Sequence, residues 1–422
     1  MKTSQLLFTT LVLFGLTACG SNKHGESSTP DNVGTLANSA FVYDNNSPYK
    51  ETLLGCIEPD DVSSSCTLNT LPLIAQESSG VTKNMIMQRL VVSDKWMGER
   101  FSQLLDHLAG KEIYTLFGSV TAVVIHKDII PSFYTTTTGA IYIDPRYLWV
   151  TDQESKTITQ KEDFRSDFGS QLQFIAGSYS THNGYSIRSQ VEMGSGQDRN
   201  FNDTIAPFAG LLYHELAHAN DFIPPSMIDS LDTTKIVSEV IRDISNSRVS
   251  SALYNYSPLT SSELLSLGKV MYHGHTATEE EKDLSGYVAG ALFDEEDASD
   301  IYAYSTMYED TATLFADTMM KLYFNVNNNV VFVNADKLNN QNVIELEWGV
   351  RNPVAKASVA HRAIFVSDRL NPKPNGWNEL FHTHIGSVAY LQTNQNEKPT
   401  FNKSNIDLKN KIRIEDFKYL SF

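Results

Sequence analysis

Two histidines four residues apart, with a glutamate directly after the first, set the tightest constraint on this chain: His214-Glu215-Leu216-Ala217-His218. Four residues is about one helical turn, so on a helix both imidazoles leave the same face and can reach one ion, while the carboxylate points to the side. The flanking residues supply that helix. Between Asp203 and Asp221, Phe208, Leu211, Leu212 and Leu216 recur at helical spacing, with Asp203 or Thr204 as the expected N-cap and Pro207 in the first turn. Paired neutral imidazoles suit a tetrahedral zinc site, in which a bound water has its pKa lowered to about 7. Glu215 is then placed to take a proton from that water and pass it to a leaving amine. The competing interpretation, a surface helix with solvated histidines, fits poorly with Leu212, Tyr213 and Leu216 around them.

Such a site needs a third protein ligand. A metzincin-type extension requires Gly at position 221 and His at position 224, where this chain has Asp221 and Pro224, so that arrangement is excluded. Further on, the run Tyr308-Glu309-Asp310-Thr311-Ala312-Thr313-Leu314-Phe315-Ala316-Asp317 opens a helix with carboxylates and carries two alanines suited to close helix packing. Glu309 is the expected third ligand, with Glu295 or Glu296 as the fallback.

These motifs resemble the gluzincin metallopeptidases, in particular the anthrax lethal factor catalytic domain family. The resemblance implies an α+β, zincin-like fold in which the active-site helix lies under a small mixed sheet and above a helical lower half. It also implies zinc held by two helices, and a Tyr seven positions before the metal-binding Glu that donates to the developing oxyanion. That position is Tyr302 here, with Tyr304 and Tyr308 as rivals. Gly139-Ala140-Ile141-Tyr142-Ile143-Asp144 is expected either as the strand that pairs with extended substrate or as an ordinary sheet strand. The chain departs from the family at Thr313, where a carboxylate supporting the ligands belongs. Asp310, Asp221 or another acid must then orient the ligands, or the support is weaker.

The N-terminus gives the setting. Lys2, the apolar stretch Leu6 to Leu16 and the small residues before Cys19 read as an export signal over residues 1–18. Leu16-Thr17-Ala18-Cys19 resembles a bacterial lipobox, which implies cleavage before Cys19 and its lipidation. The expected location is the bacterial outer membrane, facing the periplasm or the outside, with the membrane bound through Cys19. Residues 19–48, rich in Ser, Asn, Gly, Thr and Pro, read as a flexible tether. Residues 49–85 read as a small region stapled by a Cys56–Cys66 disulfide, which an exported compartment favours. Residues 86–422 form the expected catalytic domain.

Helical spacing runs from Asp94 to His107. Val120 to His126 reads as a buried strand, residues from about Ser226 to Ala291 as mostly helical, and Met307 to Tyr323 as a helix followed by an Asn-rich hairpin or loop. Val359 to Leu370 reads as a structural element with Arg362 and Arg369 on its surface. His273 with His275, and His382 with His384, are read as loop or surface residues, because no carboxylate or cysteine framework accompanies them.

A formal net charge of -17 argues against a basic face for nucleic acid. The expected function is zinc-dependent hydrolysis of a peptide or protein substrate. The rival expectations are cleavage of cell-wall peptides and an inactive, zincin-like binding module.

Overall fold

The structure is a computed structural model that describes residues 36–391, apart from 60–64, 79, 162, 336–345 and 374. The expected export signal, Cys19 and the expected tether as far as residue 35 lie outside the described residues.

Its first sheet comes from short, β-branched runs. Strands β1 (Phe41–Val42), β2 (Leu90–Val92), β3 (Val123–Ile125), β4 (Phe133–Tyr134) and β5 (Ile141–Ile143) lie in the order β1-β2-β3-β5-β4. The inner three are parallel and the two edge strands antiparallel. Alternate side chains point to opposite faces. Leu90, Val92, Val123, Ile125, Ile141 and Ile143 therefore enter the main core, while Val91, Val124 and Tyr142 enter a second cluster on the far face. Burial on both faces explains why these strands are apolar throughout.

Two sequence-based boundaries change here. Phe41 and Val42, expected within the tether of residues 19–48, instead pair with β2 and extend the sheet. The region of residues 49–85 is no separate module. Cys56 and Cys66 form a disulfide, and Leu53, Cys56, Ile57 and Leu71 cover the far face of the sheet, while Leu68, Leu73 and Ile74 join the main core.

The second sheet is antiparallel, with β6 (Phe174–His182), β7 (Tyr185–Ser186), β8 (Asn327–Asn334), β9 (Leu346–Arg351) and β10 (Ala389–Tyr390) in the order β10-β9-β8-β6-β7. The Asn-rich stretch thus holds a hairpin, β8 to β9. One face of this sheet packs against helices Ser262–His273 and Gly286–Glu295 and the turn Ile301–Tyr304. The architecture is α+β.

Between the sheets run two long helices, Asn202–Phe222 and Met307–Phe324, which make the most extensive helix–helix contact of the described fold. The first starts ahead of the expected cap, so Pro207 falls in its second turn. From Phe208 to Phe222 every residue of it is buried, which matches a helix enclosed on all sides.

Helix Ala357–Leu370 overturns one expectation. Arg369 is exposed, but Arg362 is fully buried, because its guanidinium reaches Asp310 on the second long helix at 2.5 and 3.2 Å. It also donates to the carbonyls of Ser257 and Asp297 at 3.0 and 2.7 Å. Removing one partner of a buried, fully bonded pair leaves an uncompensated charge. Arg362→Met is expected to destabilise the fold by about 3 to 5 kcal/mol, read by denaturant unfolding; a loss under about 1 kcal/mol would mean Asp310 finds other solvation.

Candidate metal centre

His214 and His218 leave one face of helix Asn202–Phe222 and meet Glu309, in the first turn of helix Met307–Phe324. Thr306 caps that second helix by accepting the Glu309 N–H at 3.1 Å, which fixes the backbone from which the carboxylate projects. The first helix is held by Asn220, which donates to the carbonyls of Leu116 and Leu216 and accepts from Ser119 Oγ.

His214 Nε2 lies 3.2 Å from His218 Nε2 and 3.0 Å from Glu309 Oε2, and His218 Nε2 lies 3.3 Å from the same oxygen. All three residues are buried, at 2, 2 and 4% exposure. Among the described residues they form a buried group able to hold a metal ion. The spacing gives a test of fit. In a tetrahedral site with bonds of about 2.0 to 2.1 Å, neighbouring ligand atoms sit about 3.3 Å apart, close to the separations found here.

Electrostatics follow from this enclosure. Burial alone would lower the His218 pKa, but the charge and hydrogen bond of Glu309 outweigh it and raise it to about 9. Burial would raise Glu309, yet the two imidazoles hold it well below the usual carboxylate range. Glu215, 2% exposed, sits beside the trio and outside it. Burial, assisted by the Glu309 charge, pushes its carboxyl up against the opposing pull of the histidines.

The three candidate tyrosines separate in space. The Tyr302 ring lies 6.3 Å from that of His214, tilted by 28°, with Tyr272 edge-on at 4.8 Å. Tyr304 is buried in the core under the second sheet, and Tyr308 packs on Phe222 and accepts from Arg248 at 3.1 Å. Only Tyr302 among these three faces the histidines. Its turn is pinned by Asp300, which accepts the Tyr302 N–H at 2.8 Å, while Asn328 of β8 donates to Asp300 and to Asp317 at 2.8 and 3.1 Å. Gly268 lets the neighbouring helix close on that turn, since a Cβ there would stand 2.2 Å from the Tyr304 carbonyl oxygen.

Of the acids considered as supports, Asp310 is engaged by Arg362. Asp221 is fully buried, accepts the Ser250 N–H at 2.6 Å, and raises the His218 pKa through its charge. Thr313 donates to the Glu309 carbonyl oxygen at 2.7 Å and so braces the backbone at Glu309. The fallback acids lie elsewhere: Glu295 is exposed, and Glu296 accepts from Thr260. His273, His275, His382 and His384 are exposed, as expected for surface residues. Strand Gly139 to Asp144 differs from the cleft-edge alternative, because β5 lies inside the sheet with β4 outside it.

Sequence reasoning missed Arg165. Its guanidinium forks onto Asp163 at 3.0 and 2.6 Å, and its charge interacts with Glu309, Tyr302 and Glu215. It sits in an irregular run of turns with no periodicity to mark it.

A second constellation has the residue types of a hydrolase but the wrong tautomer. Ser39 Oγ lies 2.9 Å from His126 Nε2, and an Asp128 carboxylate oxygen lies 3.6 Å from Nδ1. Nδ1, however, accepts the Asp128 backbone N–H at 3.2 Å, so a neutral ring carries its proton on Nε2 and donates it to Ser39. Such a ring cannot take the serine proton.

No family model, curated protein or solved structure matches this chain.

Proposed function

We propose that this chain is a zinc-dependent peptidase of gluzincin type, with His214, His218 and Glu309 as ligands and Glu215 as the acid–base residue. The reading rests on one observation above all: three buried ligand atoms from two helices stand 3.0 to 3.3 Å apart, the spacing a tetrahedral ion requires. The likeness to a zincin-like fold draws on the same layout, in which the histidine-bearing helix packs its apolar residues into the core beneath the mixed sheet β1–β5.

When bound, zinc supplies Lewis acidity, polarising a carbonyl and acidifying a water molecule. The rest falls to the chain. Glu215 takes a proton at its carboxylate and returns it to the leaving nitrogen; its raised pKa suits a group that must hold a proton for part of the cycle. Tyr302 donates its hydroxyl to the carbonyl oxygen as charge develops there, and the dry surroundings strengthen that hydrogen bond. Export and anchoring through Cys19 rest on Leu16-Thr17-Ala18-Cys19. No described helix is long and apolar enough to cross a membrane.

The deciding experiment measures zinc per chain in the purified protein and its cleavage of a diverse peptide library, with and without a chelator. One zinc per chain and chelator-sensitive cleavage are expected; no zinc after reconstitution would sink the proposal. Within that framework, Tyr302→Phe is expected to lower kcat by about 10² to 10³ with zinc content unchanged, as for loss of one oxyanion donor. Tyr308→Phe should leave kcat within a few-fold. An unaltered kcat in Tyr302→Phe would remove Tyr302 from the mechanism.

A further inference from the structure

We propose that Arg165 is a carboxylate-binding subsite beside the metal centre, so that preferred substrates place a carboxylate, either the C-terminal one or an Asp or Glu side chain, next to the scissile bond. The inference rests on the peptidase reading above and adds a substrate class to it.

The geometry of the guanidinium carries the argument. Asp163 pairs with it side-on, taking Nε through one oxygen at 3.0 Å and Nη2 through the other at 2.6 Å. Asp163 is itself 4% exposed and also accepts the Arg165 backbone N–H at 3.0 Å, so the fork is anchored at both ends of a three-residue turn. A guanidinium has five N–H donors in one plane. Side-on pairing leaves the end-on edge, formed by Nη1 and the second Nη2 hydrogen. Nη1 has no hydrogen-bond partner among the described residues, while the side chain keeps 15% exposure. Two parallel N–H groups held in a fixed plane are the complement of a carboxylate, which a lysine at this place would not provide.

Position supplies the second half. The turn that carries Arg165 packs on the end of helix Ser262–His273, with Gly169 against Met271 and Phe168 against Gly274, and Tyr272 of that helix lies edge-on to Tyr302 at 4.8 Å. The Arg165 charge accordingly interacts with Glu309, Glu215, Tyr302 and Tyr272. Asp163 already neutralises it, and the carboxylate of Glu309 is turned to the histidines. Among the described residues nothing hydrogen-bonds Nη1 on the open edge. An arginine fixed there would orient a substrate by its charge before the reacting carbonyl is engaged.

The test uses binding, separate from turnover. The zinc-loaded protein is titrated calorimetrically with dipeptide hydroxamates in matched pairs: free C-terminal carboxylate against carboxamide, and a Glu against a Gln side chain with the C-terminus amidated. One acidic member is expected to bind about 10- to 100-fold tighter than its neutral partner, as for a charge-assisted hydrogen bond. The pair that shows the gap identifies which carboxylate is read. In Arg165→Met, and in Asp163→Asn/Arg165→Met where no lone buried acid remains, the gap should close while the neutral hydroxamates bind as before. Arg165→Lys should keep part of it.

Equal binding of acid and neutral members by the unaltered protein, or a preference that survives both Arg165→Met proteins, would overturn the subsite and leave the metal centre standing. Failure of every hydroxamate, neutral ones included, would overturn the peptidase reading and the subsite with it.

Discussion

The Glu215→Gln protein is expected to hold zinc as the unaltered chain does and to cleave peptides about 10² to 10⁴ times more slowly. Gln keeps the length and most of the hydrogen bonding of Glu but can neither accept nor return a proton at the reacting water. The environment makes the substitution clean. Glu215 is 2% exposed and stands outside the ligand trio, so the amide fits the same space and removes no ligand. Its carboxyl is already pushed toward the neutral form by burial, so neutralising it should cost the fold little. Single-turnover cleavage and zinc content, measured on the same preparation, check both halves. Retained hydrolysis would show that another group moves the proton; lost zinc would show that Glu215 belongs to the ligand set.

The second large effect concerns Glu309. Glu309→Ala should lose zinc at concentrations where the unaltered chain retains it, because two imidazoles remain and the one anionic ligand is gone. An ion that binds only the folded state contributes about 4.1 kcal/mol when free zinc is a thousandfold above its Kd. The unaltered chain should therefore melt well above its chelated form, and the variant should show no zinc-dependent shift. Elemental analysis and paired melting curves give the answer. A variant that still carried one tightly held zinc would take Glu309 out of the site.

Parts of this site are legible in the primary structure because they depend on local periodicity. His214 and His218 share a face for the reason any residues four apart on a helix do, and the apolar residues around them signal an enclosed helix. Glu309 was approachable because it opens a helix with alanines one turn apart. What stayed hidden depends on long-range pairing. Arg362 reads as a surface residue until Asp310, 52 positions away, is seen to take its guanidinium. Asp300, Asp317 and Asn328 lie on a turn, a helix and a strand, and nothing in their spacing announces that one amide joins them. Strand β4 has two residues, too few to leave an alternating pattern, and without it β5 could be read as the rim of a cleft. Residues 36–48 have the composition of a tether, yet two of them are enough to extend a sheet.

The placement of the three candidate ligands has a topological consequence. His218 and Glu309 stand about 90 residues apart in sequence, and helices Val237–Asp243, Val249–Tyr256, Ser262–His273 and Gly286–Glu295 all lie on the intervening loop. An ion shared by the two ends is a dissociable cross-link that closes this loop. By the chain-entropy estimate for closures of such length it would remove about 4 to 5 kcal/mol of freedom from the unfolded chain. The centre would then act as the clasp of these four helices, and metal supply would govern how readily they open to proteolysis.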